Sequence, residues 1–107
     1  MEECPVKFAL SLLNGKWKLR IIWELNQQEP VRFNELQRRL KGISSVMLSK
    51  SLEELEQSKI VNRTQYNEIP PKVEYSLTSL GKSIHPALNA IGEWGIQAYE
   101  VLENQKE

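Results

Sequence analysis

The sequence predicts a mainly α-helical domain that carries one small β-hairpin. Three observations lead there. Apolar residues recur at helical spacing through most of the 107 residues. Two of the helical stretches are joined by a short turn at Lys41-Gly42. Soon afterwards, two short runs with strand-like alternation flank a pair of prolines, Pro70-Pro71. The length suits one domain with one core, residues 1–107.

Residues 4–13, CPVKFALSLL, read as a short helix with Pro5 at its first position. Val6, Leu10 and Leu13 fall on one face, and Phe8 and Leu12 on a second. Two apolar faces on so short a helix suggest packing beyond its own domain. Asn14-Gly15 breaks it. Lys16 to Gln27 form the next helix, where Trp17, Ile21, Ile22 and Leu25 make a wide stripe beside Leu19 and Trp23. Val31-Arg32-Phe33 reads as a very short strand. Asn34 suits the N-cap of a third helix, with Glu35 in its first turn. Leu36 and Leu40 face inward there, and Arg38 and Arg39 face outward.

The fourth helix follows at once. Ile43 precedes Ser44, whose hydroxyl can cap the first turn. Leu48, Leu52 and Leu55 form one apolar stripe. The other face begins with Ser45, Val46, Ser49 and Lys50 and ends with Glu53, Glu54 and Glu56. A helix with a small or basic start and an acidic tail can meet a polyanion with its N-terminal end, but it cannot lie flat along one. Two helices joined by a glycine-containing turn make a helix-turn-helix arrangement.

Ile60 to Tyr66 and Val73 to Leu77 read as two strands, and the loop between them holds Lys72. A hairpin after a helix-turn-helix is a wing. Thr78 then caps a long helical pattern, Ser79 to about Glu103, which Pro86 should kink or restart. Ile91, Trp94, Ala98 and Leu102 belong to its apolar surface, and Gly92 and Gly95 would permit close helix approach. No further chain is left to cover so apolar a helix. Together with Val6, Phe8 and Leu12 of the first helix, it predicts a homodimer. The last residues, 104–107, are expected to fray.

The formal net charge is zero, but its distribution is uneven. Residues 32–73 hold eight basic and five acidic groups, and residues 74–107 hold two basic and five acidic. The basic excess surrounds the fourth helix, and local charge rather than the sum sets phosphate affinity. The longest apolar runs are too short to span a membrane, and the acidic start MEECPV has no secretory core, so a cytoplasmic protein is expected. A single cysteine excludes an internal disulfide and a cysteine-rich zinc site. His85 is the only histidine and there is no aspartate, so neither a metal site nor an assisted nucleophile has its parts. His85 is therefore read as structural or solvated. No cofactor and no enzymatic activity are expected.

CPVKFALSLLNGKW, RFNELQRRLKGIS, the leucine run with Glu56, PPKVEYSLTSLG and Glu93-Trp94-Gly95 together resemble the HxlR-type winged-helix transcriptional regulators of bacteria. The resemblance covers Cys4 to about Gly95. It implies a homodimer on a two-fold pseudo-palindrome in double-stranded DNA. The terminal helices, about 4–14 and 79–103, would make the dimer, and residues 16–77 the DNA-binding core. The helix at Ser44–Ser58 would enter the major groove while the hairpin loop meets the minor groove or backbone.

Ser44, Ser45, Val46, Ser49 and Lys50 are then the candidates for the groove. Serine and lysine can bond base edges or phosphates, and valine can touch a thymine methyl. Arg32, Arg38, Arg39 and Lys72 are assigned to phosphates, which set position on the duplex. Lys16 is either a further phosphate contact or a solvated lysine. Some family members sense oxidants or electrophiles through a cysteine before a proline near the N-terminus, and Cys4-Pro5 matches that position. With no second cysteine, only a symmetric bond between two copies of Cys4, or modification by a small molecule, remains open. The competing readings are an inert, partly buried Cys4 and, for the whole chain, a helical dimerisation module that binds protein partners without DNA.

Overall fold

The computed structural model describes residues 1–105 and places six helices and one hairpin in the expected order. They are α1 (Pro5–Leu12), α2 (Lys18–Gln27), α3 (Phe33–Arg39), α4 (Ser45–Gln57), β1 (Val61–Tyr66), β2 (Lys72–Leu77), α5 (Ser79–Ser83) and α6 (His85–Asn104). Lys106 and Glu107, half of the stretch expected to fray, lie outside the described residues.

One core joins the helix-turn-helix to the hairpin. Ile21, Ile22 and Leu25 of α2, Leu36 of α3, and Leu48, Leu52 and Leu55 of α4 are buried together with Val31, Leu40, Ile43, Ile60, Val61, Tyr75 and Leu77. From α6 only Leu88 joins them. The hairpin is antiparallel, in register from Val61 opposite Leu77 to Tyr66 opposite Lys72. No helix among the described residues is long and apolar enough to cross a membrane.

The differences from the expected elements have local causes. α2 starts at Lys18 rather than Lys16, because Gly15 takes the left-handed φ of 91° and Trp17 stands outside the helix as its N-cap residue. The short strand at 31–33 shrinks to one bridge, in which Val31 exchanges two backbone hydrogen bonds with Tyr75 (2.9 and 2.8 Å). Arg32 is extended, so α3 begins directly at Phe33, and Arg32, not Asn34, is its N-cap residue. Lys72 is the first residue of β2 rather than part of the loop.

The long C-terminal pattern divides at Ile84, with Pro86 in the first turn of α6, where its missing N–H costs no helical bond. Thr78 accepts from the Gly81 amide (3.0 Å) and donates to the Lys59 carbonyl (2.6 Å), tying α5 to the start of β1. Any side chain at position 81 would collide with Ile60, since a Cβ there would lie 2.3 Å from the Ile60 carbonyl oxygen.

α4 ends on a feature its sequence does not advertise. The Ile60 amide reaches the Leu55 carbonyl (2.9 Å) and the Lys59 amide reaches that of Glu56 (3.0 Å). This is the Schellman pattern, with Ile60 and Leu55 both buried as its apolar contact. The left-handed position belongs to Lys59, at φ 63°, where glycine is usual. Core burial of Ile60 outweighs the strain and turns the chain sharply into the hairpin.

Candidate nucleic-acid interface

The interface is built on how α4 is held. Its leucine stripe is buried, so the helix cannot roll. Leu40 and Ile43 are buried in the turn before it, and Gly42 takes φ 96°, a conformation that costs glycine little. Ser44 caps the helix as expected, its Oγ accepting from the Met47 amide at 3.0 Å. What remains outside is the surface of interest. Ser45, Val46, Ser49 and Lys50 are all exposed. Farther along, Glu53 and Glu56 are exposed too, so the charge asymmetry read from the sequence exists on the folded surface.

Glu54 departs from that reading. It pairs with Lys18 of α2 at 2.8 Å while its side chain stays partly in solvent. Lys18 is only 8% exposed and also donates to Asn14 Oδ1 at 3.0 Å. The Lys18 hydrogen bond, aided by the charges of Lys18 and Lys50, holds the Glu54 carboxyl below the usual carboxylate range. A buried ammonium left unpaired would be costly, so the pair fixes the angle between α2 and α4. Beside it lies a polar cleft of about 230 Å³, bordered by Lys16, Lys50 and Met47. Lys16 is exposed there, its ammonium 4.9 Å from the centre of the Trp17 ring.

The four expected phosphate contacts are not equivalent. Arg32 is exposed beside the turn into α3. Arg38 is exposed over 76% of its side chain but is bonded to both carboxylate oxygens of Glu35 (2.7 to 3.0 Å). Arg39 does not face outward. Its side chain is 18% exposed and folds onto Glu35 (3.2 Å) and Gln28 (3.0 Å). One carboxylate thus offsets two arginines, and Glu35 is held below the ordinary carboxylate pKa mainly by its bond to Arg38. Lys72 is half-buried, 3.7 Å from Glu74 and 4.9 Å from the centre of the Tyr66 ring. A carboxylate beside Tyr66 also raises its phenol pKa, through a hydrogen bond to Glu74.

Two residues belong to this surface that sequence reasoning did not assign. Arg63 on β1 borders a cleft with Ser49, Glu53 and Glu56, bringing a cation to the wing side of α4. Gln37 on α3 reaches the Ser45 side chain at 3.2 Å. The strand alternation groups Arg63 with Val61, which is buried, so it does not mark Arg63 as outward. Nothing in the periodicity marks Gln37.

The other predicted residues divide by element. Val6, Phe8, Ile91, Trp94 and Leu102 are exposed, as are Leu10, Ile96, Tyr99 and Val101. Leu12 and Ala98 are only half-exposed, and Leu12 packs against the chain's own core rather than standing free for a partner. Cys4 is exposed and is not packed within its own chain. It stands at the N-cap of α1 without a capping hydrogen bond of normal geometry. The amides of Lys7 and Val6 nevertheless face its sulfur and lower the thiol pKa. His85 is structural: Asn26 Nδ2 bonds its Nδ1, Asn89 lies 3.2 Å from its Nε2, and its ring stacks on Trp23. No group of three potential metal ligands exists among the described residues.

Known proteins match this arrangement along most of its length. The model of the HxlR-like helix-turn-helix family matches residues 12–103. The uncharacterised HTH-type transcriptional regulator BH0655 of Halalkalibacterium halodurans is 42% identical over 97 residues, covering 91% of this chain and 86% of its own. The redox regulator HypR in its reduced form superposes with a TM-score of 0.87 at 40% identity, covering 94% of this chain and 99% of its own. Diamide-treated YodB from B. subtilis gives 0.72 at 35% identity, covering 91% and 96%. The family match over residues 12–103 and the 42% identity to BH0655 show that the chain belongs to the HxlR-like helix-turn-helix family of transcriptional regulators.

Proposed function

We propose that the chain is a sequence-specific regulator that binds double-stranded DNA as a homodimer on a pseudo-palindromic site. Residues 16–77 form the reading unit and the terminal helices the dimer contact. The observation that carries this is the division of α4. Its inner face is locked in the core, while the outer face of its first half is exposed, small and basic. Ser45, Val46, Ser49 and Lys50 read bases, with Ser44 holding the helix end. Arg32, Arg63 and Lys72 lie along the backbone, while Arg38 and Arg39 contribute only when a phosphate displaces Glu35.

The dimer reading is supported by α6, which is 20 residues long with Leu88 its one buried residue. α1 buries none. A gel-shift titration on the chain's own promoter region tests the regulator reading. Specific retention should survive excess random DNA at physiological salt, and Lys50→Ala should weaken it far more than Lys106→Ala. Micromolar binding without preference over random DNA would overturn it.

The DNA-bound state is released by oxidants or electrophiles acting on Cys4. An exposed thiol with a lowered pKa supports this, as does the likeness to regulators described as redox regulators. Diamide would take two electrons and two protons from a pair of Cys4 thiols, leaving a disulfide between protomers and the hydrazine product. A quinone would instead add to one thiolate. Cys4→Ser should keep its DNA affinity and lose the response to both reagents. A mutant that still lets go of DNA on diamide treatment would remove Cys4 from this role.

A further inference from the structure

The polar cleft between the start of α2 and the first half of α4 carries more positive charge than its own lining balances. Lys16, Lys18 and Lys50 border it, against one carboxylate, Glu54. Lys18 and Glu54 are matched to each other at 2.8 Å, and Lys18 also donates to Asn14. With that pair set aside, Lys16 and Lys50 remain and no anion faces them in the lining. Both are exposed, and neither forms a salt bridge among the described residues. The Lys16 ammonium is kept at the cleft by the Trp17 ring, 4.9 Å from its centre. α2 begins without a side-chain cap, so the positive end of its dipole adds to the same field. The volume of about 230 Å³ has room for a phosphate group and a few waters, each of which takes about 30 Å³.

We infer that this cleft seats one backbone phosphate of the bound DNA, gripped by Lys16. This rests on α4 entering the major groove. Lys50 belongs both to the cleft and to the outer face of α4, so the cleft is continuous with the reading surface. A helix in the major groove has a sugar-phosphate backbone on either side of it. The phosphate seated here is the one beside the base pair that Lys50 meets. Lys16 binds it as a point charge, adding affinity without sequence information. The paired Lys18 and Glu54 form a neutral wall that keeps the Glu54 carboxylate from repelling it.

The test uses a duplex that the wild-type protein selects from a random-sequence pool and its single-base-pair variants. It also uses copies carrying one neutral methylphosphonate at the same place in both half-sites. Affinity and its salt dependence are measured for wild type, Lys16→Gln, Lys16→Arg and Lys50→Ala. Lys16→Gln should weaken binding to the selected duplex and to its base variants alike, by roughly fivefold or more. The slope of log affinity against log salt should fall by about one for each protomer. Lys16→Arg should restore most of both. One methylphosphonate, beside the base pair that Lys50 meets, should cost wild type a similar factor. On that duplex Lys16→Gln should add less than about twofold, and at every other phosphate it should keep its full cost. Lys50→Ala should instead change the base profile.

Lys16→Gln with the affinity and salt slope of wild type would mean that no phosphate fills the cleft. An equal cost on every methylphosphonate duplex would reduce Lys16 to a diffuse charge. A cost confined to particular base pairs would make it a reader of bases. Each of these overturns the inference while leaving the regulator reading intact. Failure of that reading would show in wild type itself, as a selection that enriches no duplex over random DNA, and would take the inference with it.

Discussion

Val46→Glu is expected to weaken operator binding by more than about 100-fold while leaving the fold intact, because placing like charges together across an interface costs several kcal/mol. Val46 is 79% exposed and belongs to no part of the core, so its replacement empties no cavity. It sits in the first turn of α4, where a carboxylate interacts favourably with the helix dipole. Thermal stability should therefore stay level or rise slightly. The affinity loss would then report only on the partner surface. Circular dichroism melting and a fluorescence-anisotropy titration separate the two quantities. Binding within about threefold of wild type, with the fold preserved, would place the first turn of α4 outside the interface.

Trp94→Glu is expected to split the dimer and thereby lower operator affinity by about 100-fold or more, the gain that a second linked half-site supplies. Trp94 is 67% exposed on one chain, beside Leu102, Val101 and Ala98 in an apolar groove along α6. A tryptophan in such a patch is the kind of residue that dominates association energy. A charge there would need desolvation on both sides of the contact. Sedimentation equilibrium should show a monomer for the variant and a dimer for wild type. A dimer that persists through Trp94→Glu would move the interface off α6. The second copy matters because a two-fold operator asks for two α4 helices about one DNA turn apart, roughly 34 Å.

The parts of this molecule that rest on local chemistry were legible in the sequence. The leucine stripe of α4, the Ser44 and Thr78 caps and the restart at Pro86 each follow from a few neighbouring residues, and each is present. Residues paired across the fold were not legible. Lys18 and Glu54 are 36 positions apart in sequence, and only the packing of α2 on α4 brings them together. Arg39 folds inward because Gln28, 11 residues earlier, waits for it. Asn34 looked like the better cap, but the bridge from Val31 to Tyr75 fixed where α3 could begin. Lys59 carries a left-handed turn that its sequence gives no reason to expect, since the reward lies in burying Ile60. For the interface the same division holds. The outer face of α4 could be named from periodicity, whereas the contact of Gln37 with Ile43 and Ser45 depends on a turn geometry that periodicity does not contain.

In the proposed complex α4 meets DNA end-on, with its serine-rich half in the groove and its acidic half outside. Ser49 and Glu56 are seven residues apart on one face of the helix, so they differ mainly by about 10 Å along its axis. The chain has one cysteine, and Cys4→Ser removes it. Ser49→Cys and Glu56→Cys in that background can each carry a photo-cross-linker for mapping on the operator. The expected result is strong cross-linking to operator bases from position 49 and little from position 56. Equal yields from both positions would mean that α4 lies flat along the duplex. Bases captured only from position 56 would mean that its other end does the reading. Either result contradicts end-on docking by the serine-rich half of α4.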